Sequence, residues 1–165
     1  MLAMRTLCVD DWSLWRDLRL QALQDAADAF SSTLADWQGA GDSEQKWRDR
    51  LANVALNLVA VVDDHPGGMV SATRPDKQGQ VEILSMWIAP WARGRRVGDA
   101  LISEVLRWAS DQQATHLILK VVVDNEPAIE LYRRNGFAEN GWGDVLPDGR
   151  REQVMTRELP QHGSR

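Results

Sequence analysis

Cysteine is almost missing from this chain of 165 residues, since Cys8 is the only one. One cysteine cannot form an internal disulfide or a cysteine-based metal site, so we expect a protein of a reducing compartment. Long apolar runs are missing too, because no segment has the roughly 20 apolar residues of a membrane span. The N-terminus also lacks the basic-then-apolar order of a signal peptide. These absences predict a cytoplasmic protein with no membrane partner.

An excess of basic residues is also absent, since the formal net charge is −5. This charge argues against a general nucleic-acid binder, which normally carries a basic face. The three histidines have no metal-ligand spacing, so no metal site is predicted (His65, His116 and His162). The length fits one domain, which we place at residues 1–160, with residues 161–165 as a disordered tail.

Apolar periodicity predicts the order of the elements. The strands are expected at residues 4–9, 56–62, 69–73, 81–88, 117–123 and 151–159, and helices at 12–23, after 42, at 97–109 and after 125. Asp42 or Ser43 can cap the second helix. Short turns join strands 56–62, 69–73 and 81–88, so we expect these strands to form an antiparallel meander. A helix joins strand 81–88 to strand 117–123, so we expect these two strands to be parallel. Residues 63–68 and 141–149 are predicted connections, and strand 151–159 a sheet edge.

A tight turn precedes the third helix, with the sequence Arg93-Gly94-Arg95-Arg96-Val97-Gly98. Such a turn gathers unpaired backbone N–H groups at the positive end of the helix dipole. The sequence therefore predicts an anion site at the start of this helix.

A second motif follows the strand at 117–123, namely Asn125-Glu126-Pro127-Ala128-Ile129-Glu130-Leu131-Tyr132-Arg133-Arg134-Asn135-Gly136-Phe137. Proline in its first turn is typical of a helix start. The two motifs resemble those of the Gcn5-related N-acetyltransferases (GNAT), Q/R-x-x-G-x-G/A and N-x-x-A-x-x-L-Y-x-x-x-G-F. Arg96 stands where the first motif has a glycine that lets the backbone approach phosphate. An arginine whose side chain points outward can still let the backbone approach the phosphate, and it adds a positive charge that can pair with the phosphate.

The resemblance implies an α/β (α+β) GNAT fold with a mixed, mostly antiparallel sheet of six to seven strands and about four helices. It implies a parallel strand pair that splays apart where acetyl-CoA binds. The expected activity is transfer of an acetyl group to a primary amine of a small molecule by direct attack in a ternary complex. A protein or peptide acceptor, and a non-catalytic acyl-CoA sensor, are the alternatives.

The resemblance also implies a set of contacts with acetyl-CoA. The backbone of one strand would meet pantetheine, the turn and first helical residues would surround the pyrophosphate, and the second motif would line the far side. In chain order these are Met86, Trp87 and Ile88; Arg93, Gly94, Arg95, Arg96, Val97, Gly98, Asp99 and Ala100; Asn125, Ala128 and Tyr132. A plain buried strand at residues 86–88 is compatible with this role, since the contacts are main chain.

Two catalytic roles follow from the same resemblance. Tyr132, the only tyrosine, would donate a hydrogen bond or a proton to the departing thiolate, or else only pack its ring against the sheet. Glu82 would take the proton of the amine through water, although its alternation with apolar neighbours also fits a solvent-facing position. Ordered water alone, Asp28, Ser31 and Glu139 remain alternatives for the base.

The expected acceptor contacts come from two loops and one strand. Phe30 and Ser31 lie in a connection that borders the acceptor in the family, although a surface loop explains them equally well. Trp142 and Asp144 belong to the loop before the last strand, and Glu82 would face the acceptor from its strand. Surface packing or a homodimer contact explains a tryptophan at position 142 equally well.

Overall fold

A computed structural model describes residues 1–30 and 33–161 of the chain. The strands are β1 (Leu2–Thr6), β2 (Leu56–Val62), β3 (His65–Ala72), β4 (Gln80–Ile88), β5 (His116–Val122), β6 (Ala138–Val145) and β7 (Arg151–Glu158). The helices are α1 (Trp12–Asp25), α2 (Glu44–Asn53), α3 (Val97–Asp111) and α4 (Glu126–Arg134), with short 3-10 turns between elements. None of the helices described combines the length and apolar character needed to cross a membrane.

All seven strands form one sheet in the order β1-β2-β3-β4-β5-β7-β6. Every neighbouring pair is antiparallel except β4 and β5, which are parallel. This mixed sheet with four helices confirms the fold expected from the two motifs. The parallel pair follows from the connection through α3, because a chain needs a crossover to return to the same end of a sheet.

Two apolar cores cover the two faces of the sheet. One contains the buried side of α3 and residues of α4 against the sheet, including Leu101, Val105 and Ile129. The other packs α1 and α2 against the opposite face and includes Trp15, Trp47 and Trp87. The early tryptophans Trp15 and Trp47 are therefore core residues, as the spacing of α1 and α2 suggests.

Several predicted boundaries are corrected by the backbone. The first strand was expected at residues 4–9 but runs from Leu2 to Thr6, because the Asp11 carboxylate accepts a hydrogen bond from the Cys8 N–H and holds a turn there. Ser43, not Asp42, caps α2, since its hydroxyl accepts from the Lys46 N–H at 3.2 Å. Asp42 instead pairs with Arg16 of α1 at 2.6 Å.

The β2–β3 turn is also tighter than its composition suggests. Asp63 and Asp64 have positive φ values of 49° and 67°, as a two-residue hairpin turn requires. The following Pro66, Gly67 and Gly68 then belong to β3 rather than to the turn. A Cβ atom at Gly67 would lie 3.0 Å from the Trp91 ring, so glycine here permits close packing of the segment before α3.

The end of the chain differs most from expectation. Residues Ala138–Val145 form strand β6 at the edge of the sheet, so the predicted edge strand β7 lies between β5 and β6. Two register shifts interrupt the β6–β7 pairing, and β6 is largely exposed. An exposed and irregular strand has no apolar alternation by which the sequence could reveal it.

Candidate active site

The parallel strands β4 and β5 separate soon after they begin. They pair only from Gln80 and His116 to Glu82 and Ile118, although β4 continues to Ile88 and β5 to Val122. Ser85 has a positive φ of 56°, and the β3–β4 register shifts beside it, which marks a bulge that bends β4. The backbone of β4 beyond Glu82 therefore has no strand partner on the β5 side.

A cavity of about 1830 Å³ occupies the gap between these strands. Its lining combines the ends of β4 and β5 with the start of α3, α4, the C-terminal end of α1 and the β6–β7 segment. A drug-sized ligand needs about 300–1,000 Å³, so this cavity has room for two substrates. Its lining reaches both faces of the sheet.

The turn before α3 forms one end of the cavity. Gly94 has φ +78° and Arg96 has φ +59°, so Arg96 caps the helix in the left-handed conformation that favours glycine. No side chain of the described residues caps this end, and the first intrahelical bond runs from Ala100 N–H to Arg96 C=O at 3.1 Å. The N–H groups of residues 97–99 are therefore available to an anion.

The arginines of this turn differ in their partners. Arg93 donates to the Asp25 carboxylate at 2.7 Å and to the Ile88 carbonyl at 3.1 Å. Arg95 pairs with Asp63 and lies outside the cavity lining. Arg96 lines the cavity and is exposed, and its side chain makes no hydrogen bond or ion pair among the described residues. Of the three side chains, that of Arg96 is the one free to meet a ligand phosphate.

Asp99 would repel a phosphate at this helix end if its charge were not balanced. Its carboxylate accepts two bonds from Arg134, both at 2.9 Å, and one from Asn135 at 2.9 Å. The hydrogen bonds from Arg134 lower the pKa of Asp99 to about 2. Arg134 thus neutralises the one acidic side chain in the first turn of α3. Ala100, the next predicted cofactor residue, does not line the cavity.

Gly98 has a packing role that is independent of any ligand. A Cβ atom at this position would lie 2.9 Å from Cδ2 of Leu131 and 3.5 Å from Cε of Met86. Glycine here lets α3 approach α4 and β4 closely, which keeps the helix start beside the gap. The neighbouring Val97 is buried and lines the cavity.

Helix α4 supplies the opposite wall of the cavity. The Asn125 side-chain oxygen Oδ1 accepts a long hydrogen bond from the Ala128 N–H at 3.4 Å, and both residues line the cavity. Tyr132 also lines it, with 7% exposure and its ring 6.0 Å from that of Phe137. Its hydroxyl makes no hydrogen bond within the described part of the chain. Burial raises the pKa of the phenol, so at neutral pH it is a proton donor.

Met86, Trp87 and Ile88, predicted to meet pantetheine through their backbone, all line the cavity. The Trp87 ring itself packs in the α1–α2 core, and its indole N–H donates to Asp25 at 3.0 Å. Asp25 therefore binds both Trp87 and Arg93, and it ties the end of α1 to the segment between β4 and α3.

Carboxylates line the cavity on the face that carries α1 and α2. Glu82 lies there, half-buried, because its neighbours Val81 and Ile83 belong to the opposite core. Glu152 of β7 shares this face and is only 9% exposed. Burial raises the pKa of Glu152, and the nearby charges of Asp144 and Glu82 raise it further, while Lys120 lowers it. A raised pKa suits a group that accepts a proton near neutral pH.

Glu139, Ser31 and Asp28 were the other residues proposed as the base. Glu139 is bound to Arg133 at 2.8 Å and does not line the cavity. Ser31 and the side chain of Asp28 lie outside the described residues. Glu152 was not predicted as a base. Its position could have indicated it, because Glu152 lies two residues before Val154 and therefore on the same face of the strand. No cluster of three or more potential metal ligands occurs among residues 1–30 and 33–161.

The predicted acceptor contacts are only partly brought together. Phe30 lines the cavity with the Arg19 guanidinium 4.4 Å from its ring centroid, and Asp144 also lines the cavity. Trp142 does not, since its side chain is 59% exposed on β6 with Arg151 5.3 Å from its ring centroid. A homodimer contact through Trp142 stays a prediction.

Arg19 and Arg50 also line the cavity and were not predicted. Arg19 is 8% exposed on the buried side of α1, between Leu18 and Ala22. An arginine inside an apolar helical stripe is unusual for a structural residue, and this is the signal that could have identified it.

Comparison with known proteins places the fold in a family. The model of the acetyltransferase (GNAT) family matches residues 15–137. Streptothricin acetyltransferase of Streptomyces lavendulae is 29% identical over 111 residues, which cover 67% of this chain and 59% of that protein. The chain spans between 42% and 65% of the length of the curated relatives that it matches.

Two solved structures show the same fold over nearly the whole chain. A GNAT-family acetyltransferase from Streptococcus pneumoniae superposes with a TM-score of 0.79 at 18% identity, covering 97% of this chain and 100% of its own. The yncA protein of Salmonella typhimurium, a putative acetyltransferase solved with its cofactor acetyl-CoA, gives 0.77 at 16% identity and covers 100% and 98%. The fold and the family model agree, and this chain belongs to the acetyltransferase (GNAT) family.

Proposed function

We propose that this protein is an acetyl-CoA-dependent N-acetyltransferase that acetylates a primary amine of a small molecule in a ternary complex. The observation that carries this proposal is one continuous cavity. It joins the start of α3, where no side chain of the described residues caps the backbone N–H groups, to Tyr132 through the gap between β4 and β5. An anion site, a gap with unpaired strand backbone and a buried proton donor are the parts that a thioester of coenzyme A requires.

The chain's own residues fit the cosubstrate at each of these places. The backbone N–H groups of residues 97–99 and the Arg96 side chain would hold the diphosphate. The unpaired edge of β4 at Met86–Ile88 would pair with the amide groups of pantetheine, as an added strand would. The fold neighbour that contains acetyl-CoA supports this choice of cosubstrate.

When bound, acetyl-CoA supplies a thioester whose carbonyl carbon is attacked by an unprotonated amine. The amide bond forms as the carbon–sulfur bond breaks, and one proton must leave the nitrogen while one must reach the sulfur. Glu152 and Glu82 are the groups that would accept the amine proton, directly or through water. Tyr132 would donate a proton to the sulfur, because its buried phenol remains protonated.

The acceptor belongs on the side of the cavity that α1 and the β6–β7 segment form. Phe30 follows α1 in the chain, Asp144 and Glu152 belong to β6 and β7, and all three line the cavity. The proposed acceptor at this side of the cavity is a small molecule. The resemblance to streptothricin acetyltransferase, which is named for one compound, favours the same class.

Calorimetry with coenzyme A and with pantetheine tests the cosubstrate assignment. Coenzyme A should bind the folded protein, and pantetheine, which lacks the diphosphate, should bind at least about 100-fold more weakly. Acetyl-CoA with a panel of amines should then release free thiol. No heat of binding at millimolar coenzyme A, or equal affinity for pantetheine, would overturn the proposal.

A further inference from the structure

Arg19 is a buried cation without a counterion among the described residues. Its side chain is 8% exposed, and its Nη1 atom has no hydrogen-bond partner. Its guanidinium carbon lies over the face of the Phe30 ring, 4.4 Å from the ring centroid. An aromatic face replaces only part of the hydration that a guanidinium loses on burial.

Arg50 of α2 is a second cation of the same kind. It donates hydrogen bonds to Asn57 at 3.1 Å and to the hydroxyls of Ser71 and Ser85 at 3.2 Å, and all three are neutral acceptors. These bonds use three of the five N–H groups of a guanidinium. Ser85 is the residue at the bulge of β4, so Arg50 lies beside the place where β4 leaves β5.

The two cations influence each other. Burial lowers the pKa of Arg50 to about 10, and burial together with the nearby charge of Arg50 lowers the pKa of Arg19 to about 10. Both therefore keep their positive charge at neutral pH. By contrast, Arg16 and Arg48 on the same two helices are paired with carboxylates.

Two adjacent and unneutralised charges destabilise a fold unless something else compensates them. Both Arg19 and Arg50 line the cavity, so an anion that enters it can reach them. A carboxylate, like a phosphate, can accept two parallel hydrogen bonds from the planar guanidinium of an arginine. The diphosphate of coenzyme A is assigned to the start of α3 and is not needed here.

Other elements contribute carboxylates to the cavity lining. Glu82, Asp144 and Glu152 line the same cavity from β4, β6 and β7. These carboxylates attract an ammonium group and can take its proton. One part of the cavity thus favours an anion and another part a cation.

We propose that the acceptor is a small amino carboxylate, such as an α-amino acid, whose carboxylate is bound by Arg19 and Arg50 while its amine faces Glu82 and Glu152. This inference rests on the proposed N-acetyltransferase function and specifies its acceptor. The arginines would hold the carboxylate near the β4 bulge and leave the amine directed towards the gap.

Matched acceptors test the class directly. Common amino acids are compared with their primary amides, for example leucine with leucinamide, by thiol release from acetyl-CoA. The carboxylate should raise kcat/KM at least tenfold for the preferred amino acid. The amine of the amide is the weaker base and is more often unprotonated, so such a preference cannot come from amine reactivity. A preference for amides throughout, or no saturable use of any amino carboxylate, overturns the inference.

The Arg19→Met variant tests the residue. It should raise KM for the amino acid at least tenfold and abolish the preference over the amide, while leaving the Kd for coenzyme A unchanged. Its melting temperature should not fall, because the substitution removes a buried and unpaired charge. Arg16→Met on the same helix is the control: it loses the ion pair with Asp42, so stability should fall and the preference for the carboxylate should persist.

Arg19→Lys keeps the positive charge but loses the planar guanidinium. It should therefore recover part of the preference for the amino acid over its amide. If Arg19→Met alters coenzyme A affinity and acceptor use together, the arginine serves the cosubstrate and the inference fails. If the wild-type protein acetylates neutral amines as well as amino acids, the acceptor class is wrong although the proposed function stands. If coenzyme A does not bind at all, the proposed function fails first.

Discussion

The conformation of Arg96 gives the most direct test of the helix start proposed to bind phosphate. Arg96 caps α3 with φ +59° and ψ +25°, in the left-handed region. The left-handed conformation raises the free energy of the folded state by about 1–2 kcal/mol for an ordinary residue and by almost nothing for glycine. Replacing Arg96 by glycine should therefore relieve strain in the folded protein.

The gain is reduced because glycine has more freedom in the unfolded chain, which costs roughly 0.4–1 kcal/mol. The difference leaves a net stabilisation of about 0.5–1 kcal/mol. A chain of this size shifts its melting temperature by about 2–4 °C per kcal/mol, so Arg96→Gly should melt about 1–4 °C higher. Arg96→Ala keeps the strained backbone and should show no comparable rise in melting temperature.

Thermal unfolding of the three proteins without ligand measures the backbone effect, and calorimetry with coenzyme A measures the effect of the lost charge. Affinity should fall by less than about tenfold in both variants, equivalent to ~1.4 kcal/mol, because the backbone N–H groups remain. If Arg96→Gly is no more stable than Arg96→Ala, the argument from strain is refuted. A far larger loss of affinity in both would mean that the side chain is the main phosphate ligand.

Four further predictions concern the titrating groups. Tyr132→Phe should lower turnover at saturating acetyl-CoA at least tenfold with little change in the Kd for coenzyme A, and unchanged turnover would exclude the acid role. Glu152→Gln should raise stability at pH 7, measured by urea unfolding, because a raised pKa means that the buried carboxylate favours its protonated form; its advantage should vanish as pH falls below about 4.5. The same variant should slow turnover more than Glu82→Gln if Glu152 is the main base, and the reverse order would assign that role to Glu82. Asp99→Asn should lower stability at neutral pH, and the difference should shrink as pH falls from about 3.8 towards about 2, because a lowered pKa stabilises the fold only while the carboxylate is charged.

Local sequence patterns were sufficient to predict most of the helices and strands. The apolar spacing of α3 is strong enough to set its start at Val97, and the loop after Ile88 is followed by a helix long enough to force a parallel return of β5. The αL position at residue 96 has a local signature too, since the family motif carries glycine there. These features depend on residues that are close together in the sequence, so a local sequence pattern is enough to predict them.

Contacts between distant segments decided the rest. Glu139 was a possible base from its sequence position, but it pairs with Arg133 outside the cavity. Glu152 became a candidate because β7 lies inside the sheet and turns that side chain towards Glu82. Strand β6 is exposed and irregular, so nothing in its composition predicted a strand outside β7.

The sequence by itself determined most of the helices and strands, the family motifs and the position of the turn before α3, because each arises from residues that lie close together along the chain. Only the tertiary structure decided that Arg19 and Arg50, 31 positions apart, share one cavity without a carboxylate partner among the described residues. Whether a charge is neutralised depends on what surrounds it in space. That information exists only once α1, α2 and the bulged strand β4 have packed together.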